Sequence, residues 1–307
     1  MSNDREPIAI VSRMISGAEK KRARSFCTVD THYCNLRPIV IGPVTLSHMQ
    51  PRQDTLSRRL RDGATLFGTF IELPCAESVE IAALAGWDYC IIDGEHSAIG
   101  IDRYPDLVRA GDSRAMPTLV RVPENRPAPI QHALDSGAAG VLIPQVGSYD
   151  EAVAAVSASR FHPLGCRGVN GFVRSAGFSA RPTAEYLADS NGEILCAVQL
   201  ESAAACRDAE RIATIAGLDV LFVGPFDLSQ SLGVPGLTSH PEVVAAIEHV
   251  AECCAKHRVA AGIYANTPED ARRWADTGFR FVTCLVDTVV LLHGMRTLRA
   301  SLFPQRS

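Results

Sequence analysis

The sequence predicts a single-domain (β/α)8 TIM barrel with an N-terminal extension, and three observations carry that expectation. From about residue 54, short β-branched or aromatic runs alternate with longer alanine-rich amphipathic segments, giving eight strand candidates over about 250 residues. Several helical segments end in a glycine followed at once by an apolar run, the usual stop before a strand. The first strand runs into Glu72-Leu73-Pro74-Cys75 with no glycine-rich phosphate loop, so the rival doubly wound sheet lacks its signature.

Taken in order, residues 1–48 carry a basic cluster (Lys20, Lys21, Arg22, Arg24) but no strand–helix period. They read as a poorly ordered extension upstream of a barrel domain at 49–307. A capped helix over Asp54 to Arg61 is expected to close the barrel bottom. The strands are placed at Leu66 to Ile71, Tyr89 to Asp93, Thr118 to Arg121, Gly140 to Ile143, Ile194 to Leu200, Asp219 to Val223, Val259 to Tyr264 and Arg280 to Cys284. Helices fall between them, among others at Ala76 to Ala85, Pro127 to Ser136, Ser148 to Ser159, Ala203 to Ile215, Pro241 to His257 and Pro268 to Thr277. Gly86, Gly137 and Gly278 stand at three of the helix-to-strand stops.

Composition removes several function classes. With 47% hydrophobic and 21% charged residues and a net charge of −4, the chain is an ordinary soluble type with a sizeable core. No basic stripe with interleaved aromatics supports nucleic-acid binding, and no apolar run reaches membrane-spanning length. The N-terminus lacks a signal-peptide core, so a cytoplasmic protein is expected. The ten cysteines include no CxxC pair and read as reduced, mostly buried thiols. Cys27 and the run Asp30 to Cys34 lack a second ligand pair for zinc.

Barrel chemistry sits at the C-terminal ends of the strands, and polar residues cluster there. Candidates are Asp93, Glu95 and His96 after the second strand, Arg121 after the third, Gln145 after the fourth, Gln199 and Glu201 after the fifth, and Gly224, Pro225 and Asp227 after the sixth. Glu201 and Asp227 come from adjacent strands, and their hard oxygens suit a divalent cation while leaving positions open for water and a chelating 2-oxo acid. Equally, Glu201 caps the helix from Ser202, and Asp227 favours a helix start by its charge. His96 is placed to move a proton near neutral pH, with Asp93 or Glu95 to orient its ring. Arg121 either stabilises an enolate charge or forms a rim salt bridge. Gly224-Pro225-Phe226-Asp227 opens a helix whose first amides favour a carboxylate or phosphate. The chain has three lysines, Lys20, Lys21 and Lys256, and the last precedes the seventh strand at the opposite barrel face, so Schiff-base chemistry is disfavoured.

Ile92-Asp-Gly-Glu-His96, Arg121, Leu134-Asp-Ser-Gly-Ala138, Gly165-Cys-Arg-Gly168, Gln199-Leu-Glu-Ser202 and Gly224-Pro-Phe-Asp-Leu-Ser229 together resemble the HpcH/HpaI aldolase family over about residues 54–302. The resemblance implies a (β/α)8 barrel and a class II, metal-dependent aldolase that turns pyruvate into its enolate and joins or releases an aldehyde. It implies a cofactor, Mg²⁺, Mn²⁺ or Co²⁺, on Glu201 and Asp227 with Gln199 beside it. His96 would act as acid/base through a water, Arg121 would stabilise the enolate, and amides near Phe226 would hold the 2-oxo acid carboxylate. It also implies a homo-oligomer, a hexamer built as a trimer of dimers with the last helix exchanged, in which Asp135 supports the histidine of an adjacent subunit. Phe226 and Tyr264 depart from the family's smaller or aliphatic residues, altering the space for the second substrate. Family members that decarboxylate oxaloacetate or condense it with an acetyl thioester share the same enolate, which leaves those reactions as the alternative. A non-catalytic metabolite-binding barrel is the remaining one.

Overall fold

A computed structural model describes residues 54–303. The expected extension at 1–48 and the zinc reading at Cys27 lie outside them. Eight parallel strands close into a barrel in chain order. They are β1 (Leu66–Ile71), β2 (Tyr89–Asp93), β3 (Thr118–Arg121), β4 (Gly140–Ile143), β5 (Leu195–Leu200), β6 (Val220–Val223), β7 (Ala260–Ala265) and β8 (Phe281–Val286). Around them run α1 (Leu56–Arg61), α2 (Ala76–Leu84), α3 (Tyr104–Ser113), α4 (Pro127–Asp135), α5 (Tyr149–Ser159), α6 (Thr183–Glu193), α7 (Ala203–Arg207), α8 (Ala209–Ile212), α9 (Pro225–Ser231), α10 (Pro241–Lys256), α11 (Pro268–Asp276) and α12 (Asp287–Leu302). No described helix is long and apolar enough to cross a membrane.

Strand alternation sorts side chains into an inner and an outer layer. Leu66, Phe70, Tyr89, Ile91, Leu119, Leu142, Leu195, Ala197, Val220, Phe222, Ala260 and Phe281 point inward and pack as one buried cluster. Ile71, Cys90, Ile92, Val120, Val141, Ile143, Val198 and Val223 point outward and pack with the helices. Tyr89 stacks on Phe281 with ring centroids 4.2 Å apart and joins its hydroxyl to Thr283 Oγ1 at 2.9 Å. That ring needs Gly68, since a Cβ there would lie 2.2 Å from Tyr89. Below it, Thr55 caps α1 by accepting from Arg58 N, and Leu56 and Leu60 enter the inner cluster, as expected of a bottom plug. Each buried leucine contributes about 1.5–3 kcal/mol.

Gly86, Gly137 and Gly278 adopt positive φ of 88°, 93° and 102°, in agreement with their expected role as stops. One helix differs from expectation. The segment read as a single helix from Ala203 to Ile215 breaks at Asp208 into α7 and α8. The Asp208 carboxylate accepts from the Tyr149 amide at 3.2 Å, and that tertiary bond overrides local helix propensity. Several strands also shift by one or two residues at their ends.

Candidate active site

The inner face of the barrel continues past the strand ends and delivers the polar residues to one mouth. Residue i+2 follows residue i on the same face, so Phe70 leads to Glu72, Ile91 to Asp93 and Glu95, Leu119 to Arg121, Ala197 to Gln199 and Glu201, and Gly262 to Tyr264. Asp93 and Arg121 are direct register partners between β2 and β3. The guanidinium grips the carboxylate at both oxygens, Nε to Oδ1 at 2.9 Å and Nη2 to Oδ2 at 2.6 Å. Both side chains are buried, and Arg121 also lies 4.6 Å over the Phe70 ring. Asp93 Oδ1 further accepts from the amides of Glu95 and His96. Burial alone would raise the Asp93 carboxyl; Arg121 and the two amides outweigh it and hold it below its ordinary value. The remaining guanidinium nitrogen, Nη1, faces Glu95 Oε2 at 3.4 Å.

Glu201 and Asp227 share a cleft of about 400 Å³ with Glu95, His96, Gln145 and Glu151. Burial first, then the charges of Glu95 and Asp227, push Glu201 up to about 7, against the pull of Arg121 and the Gln145 amide. Negative groups therefore converge here beyond what the protein's own cation neutralises. Gln199 donates through Nε2 to Glu201 Oε1, while its buried Oε1 has no protein partner. Gly224 makes that approach feasible, because a Cβ would sit 3.0 Å from Gln199 Nε2 and 3.2 Å from Glu201 Cγ. Pro225 occupies the first turn of α9, followed by Phe226 and by Asp227. Among the described residues no three His, Cys, Asp or Glu side chains form a complete metal cage. Two carboxylates and a neutral amide oxygen fit a hard divalent ion that keeps several positions for water and substrate.

The other expected residues distribute as follows. The His96 side chain is 59% exposed at the rim, with Nε2 3.6 Å from Glu95 Oε2; Asp93 holds the histidine's backbone amide and not its ring. Asp135 stands away from this cleft, at the far end of α4, bonded to Arg167 Nη2 at 2.7 Å and to Gln131 Nε2 at 3.4 Å. Phe226 is 48% exposed, and its ring lies 6.3 Å from Tyr264, which lies 6.0 Å from Phe70. Lys256 pairs with Glu210 at 2.8 Å, outside the mouth.

Two expected residues contribute more than the sequence implies, and a third, Glu72, carries no signal of its own there. Glu95 links Arg121, His96 and Gln145, with Gln145 Nε2 donating to its Oε1 at 2.9 Å. Gln145 adopts a positive φ of 56°, a conformation costly for a residue with a Cβ, and this aims its amide at Glu201. No local sequence signal encodes that. Glu72 follows β1 and accepts from Thr288 Oγ1 at 3.3 Å; the alternation from Phe70 would have found it.

Comparison with known proteins agrees with this fold. The family model described as HpcH/HpaI aldolase/citrate lyase matches residues 66–294. A hydroxypyruvate/pyruvate aldolase from Paraburkholderia phytofirmans is 36% identical over 247 residues, 78% of this chain and 94% of that protein. An HpcH/HpaI aldolase/citrate lyase family protein from Burkholderia cenocepacia superposes with TM-score 0.77 at 37% identity, covering 80% of this chain and 98% of the other. The citrate synthase SbnG superposes with TM-score 0.73 at 27% identity, covering 80% and 96%.

Proposed function

The chain belongs to the HpcH/HpaI aldolase/citrate lyase family and is a carbon–carbon lyase, and from that premise we propose that it cleaves or forms a 4-hydroxy-2-oxo acid, exchanging pyruvate and an aldehyde. The observation that carries this reading is the meeting of Glu201 and Asp227 in one cleft, with Glu201 raised by burial and by neighbouring carboxylates, beside the buried Arg121. Such a surplus of negative charge suits a divalent cation, Mg²⁺, Mn²⁺ or Co²⁺. A cation held by Glu201 and Asp227 supplies Lewis acidity to a keto oxygen.

The chain's own residues do the rest. Gln199 steadies Glu201 by its amide hydrogen bond. Arg121, fixed by Asp93, turns Nη1 toward the mouth, where it stabilises the negative charge that develops when C3 of the 2-oxo acid loses a proton. The amides of Phe226 and Asp227, in the first turn of α9, have no partner within the helix and suit the substrate carboxylate. Glu95 stands between Arg121 and His96, so His96 exchanges protons at the rim with a carboxylate to steady its ring. In an assembled oligomer, Asp135 would support the histidine of a neighbouring copy. Purified protein should release pyruvate from a 4-hydroxy-2-oxo acid in an EDTA-sensitive reaction, and full activity after complete metal removal would overturn the proposal.

The likeness to a citrate synthase favours one alternative electrophile, an acetyl thioester meeting oxaloacetate on the same residues. Product analysis with oxaloacetate, with and without acetyl-CoA, separates decarboxylation, condensation and aldol chemistry. A barrel that only binds a metabolite would keep all its properties in Glu201→Gln, whereas the enzymatic reading expects turnover to collapse.

A further inference from the structure

We infer that Glu72 makes this mouth select uncharged, hydroxylated aldehydes over aldehydes that carry a carboxylate or phosphate. The inference rests on the proposed aldol reaction and names its second substrate. Glu72 lies one residue past β1 and two past the inward-facing Phe70, so it continues the inner face of the barrel. Its backbone is fixed from across the β1–β8 seam: Asp287 Oδ1 accepts from the Glu72 amide at 3.0 Å and Oδ2 from the Leu73 amide at 3.2 Å. Thr288 donates to the carboxylate at 3.3 Å.

Glu72 stands near Tyr264, part of a wall of aromatic rings that lies beyond the residues lining the cleft. Phe226, next to Asp227, lies 6.3 Å from Tyr264; Tyr264 lies 6.0 Å from Phe70; and Arg121 stands 4.6 Å over Phe70. This aromatic row runs from the carboxylate pair across the mouth to the strand that bears Glu72. Burial, then the charge of Asp93, push the Glu72 carboxyl above its ordinary value, with Asp287 adding to them. The Thr288 hydrogen bond and then Arg121 pull the other way, but two of the three Arg121 guanidinium nitrogens already hold Asp93. An anionic aldehyde beside this wall would add a like charge to Glu72, Asp287 and Asp93 with little cation left to answer it. A hydroxylated aldehyde instead offers Glu72 a donor and lays its carbon skeleton on Tyr264 and Phe226.

In the bond-forming direction, C3 of pyruvate loses a proton and bonds to the aldehyde carbon, and the aldehyde oxygen takes up a proton; nothing is oxidised or reduced. The test compares kcat/KM of the full-length Mg²⁺ enzyme for glycolaldehyde and for glyoxylate, each with pyruvate. The wild type should favour glycolaldehyde by about tenfold or more, and Glu72→Gln, which keeps the side-chain shape, should shrink that ratio by about tenfold by raising the glyoxylate value. Equal use of the two aldehydes by the wild type, or an unchanged ratio in the variant, overturns the inference. Deuterium exchange at pyruvate C3 distinguishes the two failures: exchange with an unexpected aldehyde preference rejects the role of Glu72 alone. Absence of both exchange and product rejects the aldol reading together with it.

Discussion

The Arg121–Asp93 pair shows how one buried ion pair serves structure and chemistry together. Asp93 is fully buried and ties both the guanidinium and the amides of the following turn. Arg121→Met is therefore expected to cost about 3–5 kcal/mol in urea unfolding, because it strands a buried carboxylate. The double variant Arg121→Met/Asp93→Asn should recover a large part of that loss; equal destabilisation would show that the lost packing on Phe70 dominates instead. Glu201 gives a second residue-scale prediction. Its carboxyl is raised from 4.5 to about 7 in the folded chain, so folding favours the protonated form, and stability falls as pH rises through that interval. Without metal, Glu201→Gln should melt higher than wild type at pH 8, by about 2–4 °C per kcal/mol relieved, and gain little near pH 4. Added Mg²⁺ should raise the melting temperature of the wild type and not of the variant. The arrival of Glu201 and Asp227 in one cleft was legible because barrel topology fixes where the residues just past β5 and β6 stand. The conformation of Gln145 was not, since tertiary contacts and not local pattern hold its positive φ.

Among the elements, the strands were the more legible. Their apolar runs allow few placements, and the stops at Gly86, Gly137 and Gly278 mark where three of them begin. The break between α7 and α8 is not legible locally, because the hydrogen bond that accompanies it runs from the Tyr149 amide to the Asp208 carboxylate, 59 residues away in sequence. Gly68 illustrates a constraint that is plain only in three dimensions. Gly68→Ala should destabilise by about 1–3 kcal/mol, since the added methyl meets the Tyr89 ring that is itself wedged against Phe281. Chemical denaturation reads this directly, and a neutral result would mean that the ring can turn aside.

For the molecule as a whole, α12 is the element without an explanation in one chain. None of its residues is buried, yet Leu291, Met295, Leu298 and Leu302 are all exposed and follow each other at helical spacing along one stripe. We propose that a second copy covers this stripe in a homo-oligomer. Sedimentation should give a multiple of the single-chain mass, and Leu291→Glu with Leu298→Glu should shift it toward one chain without unfolding the barrel. A wild-type monomer would remove the proposal.

The inward alternation along β5 has one more consequence, which concerns parity. Gln199 and Glu201 reach the mouth because each lies an even number of steps from Ala197, so one residue inserted between Ala197 and Gln199 would swing both toward the helices while the strand still paired with its neighbours. Additions beyond Glu201 leave that count untouched. The loops above the rim are thus free to diverge toward new substrates, whereas the strands beneath them can change composition but not length by one.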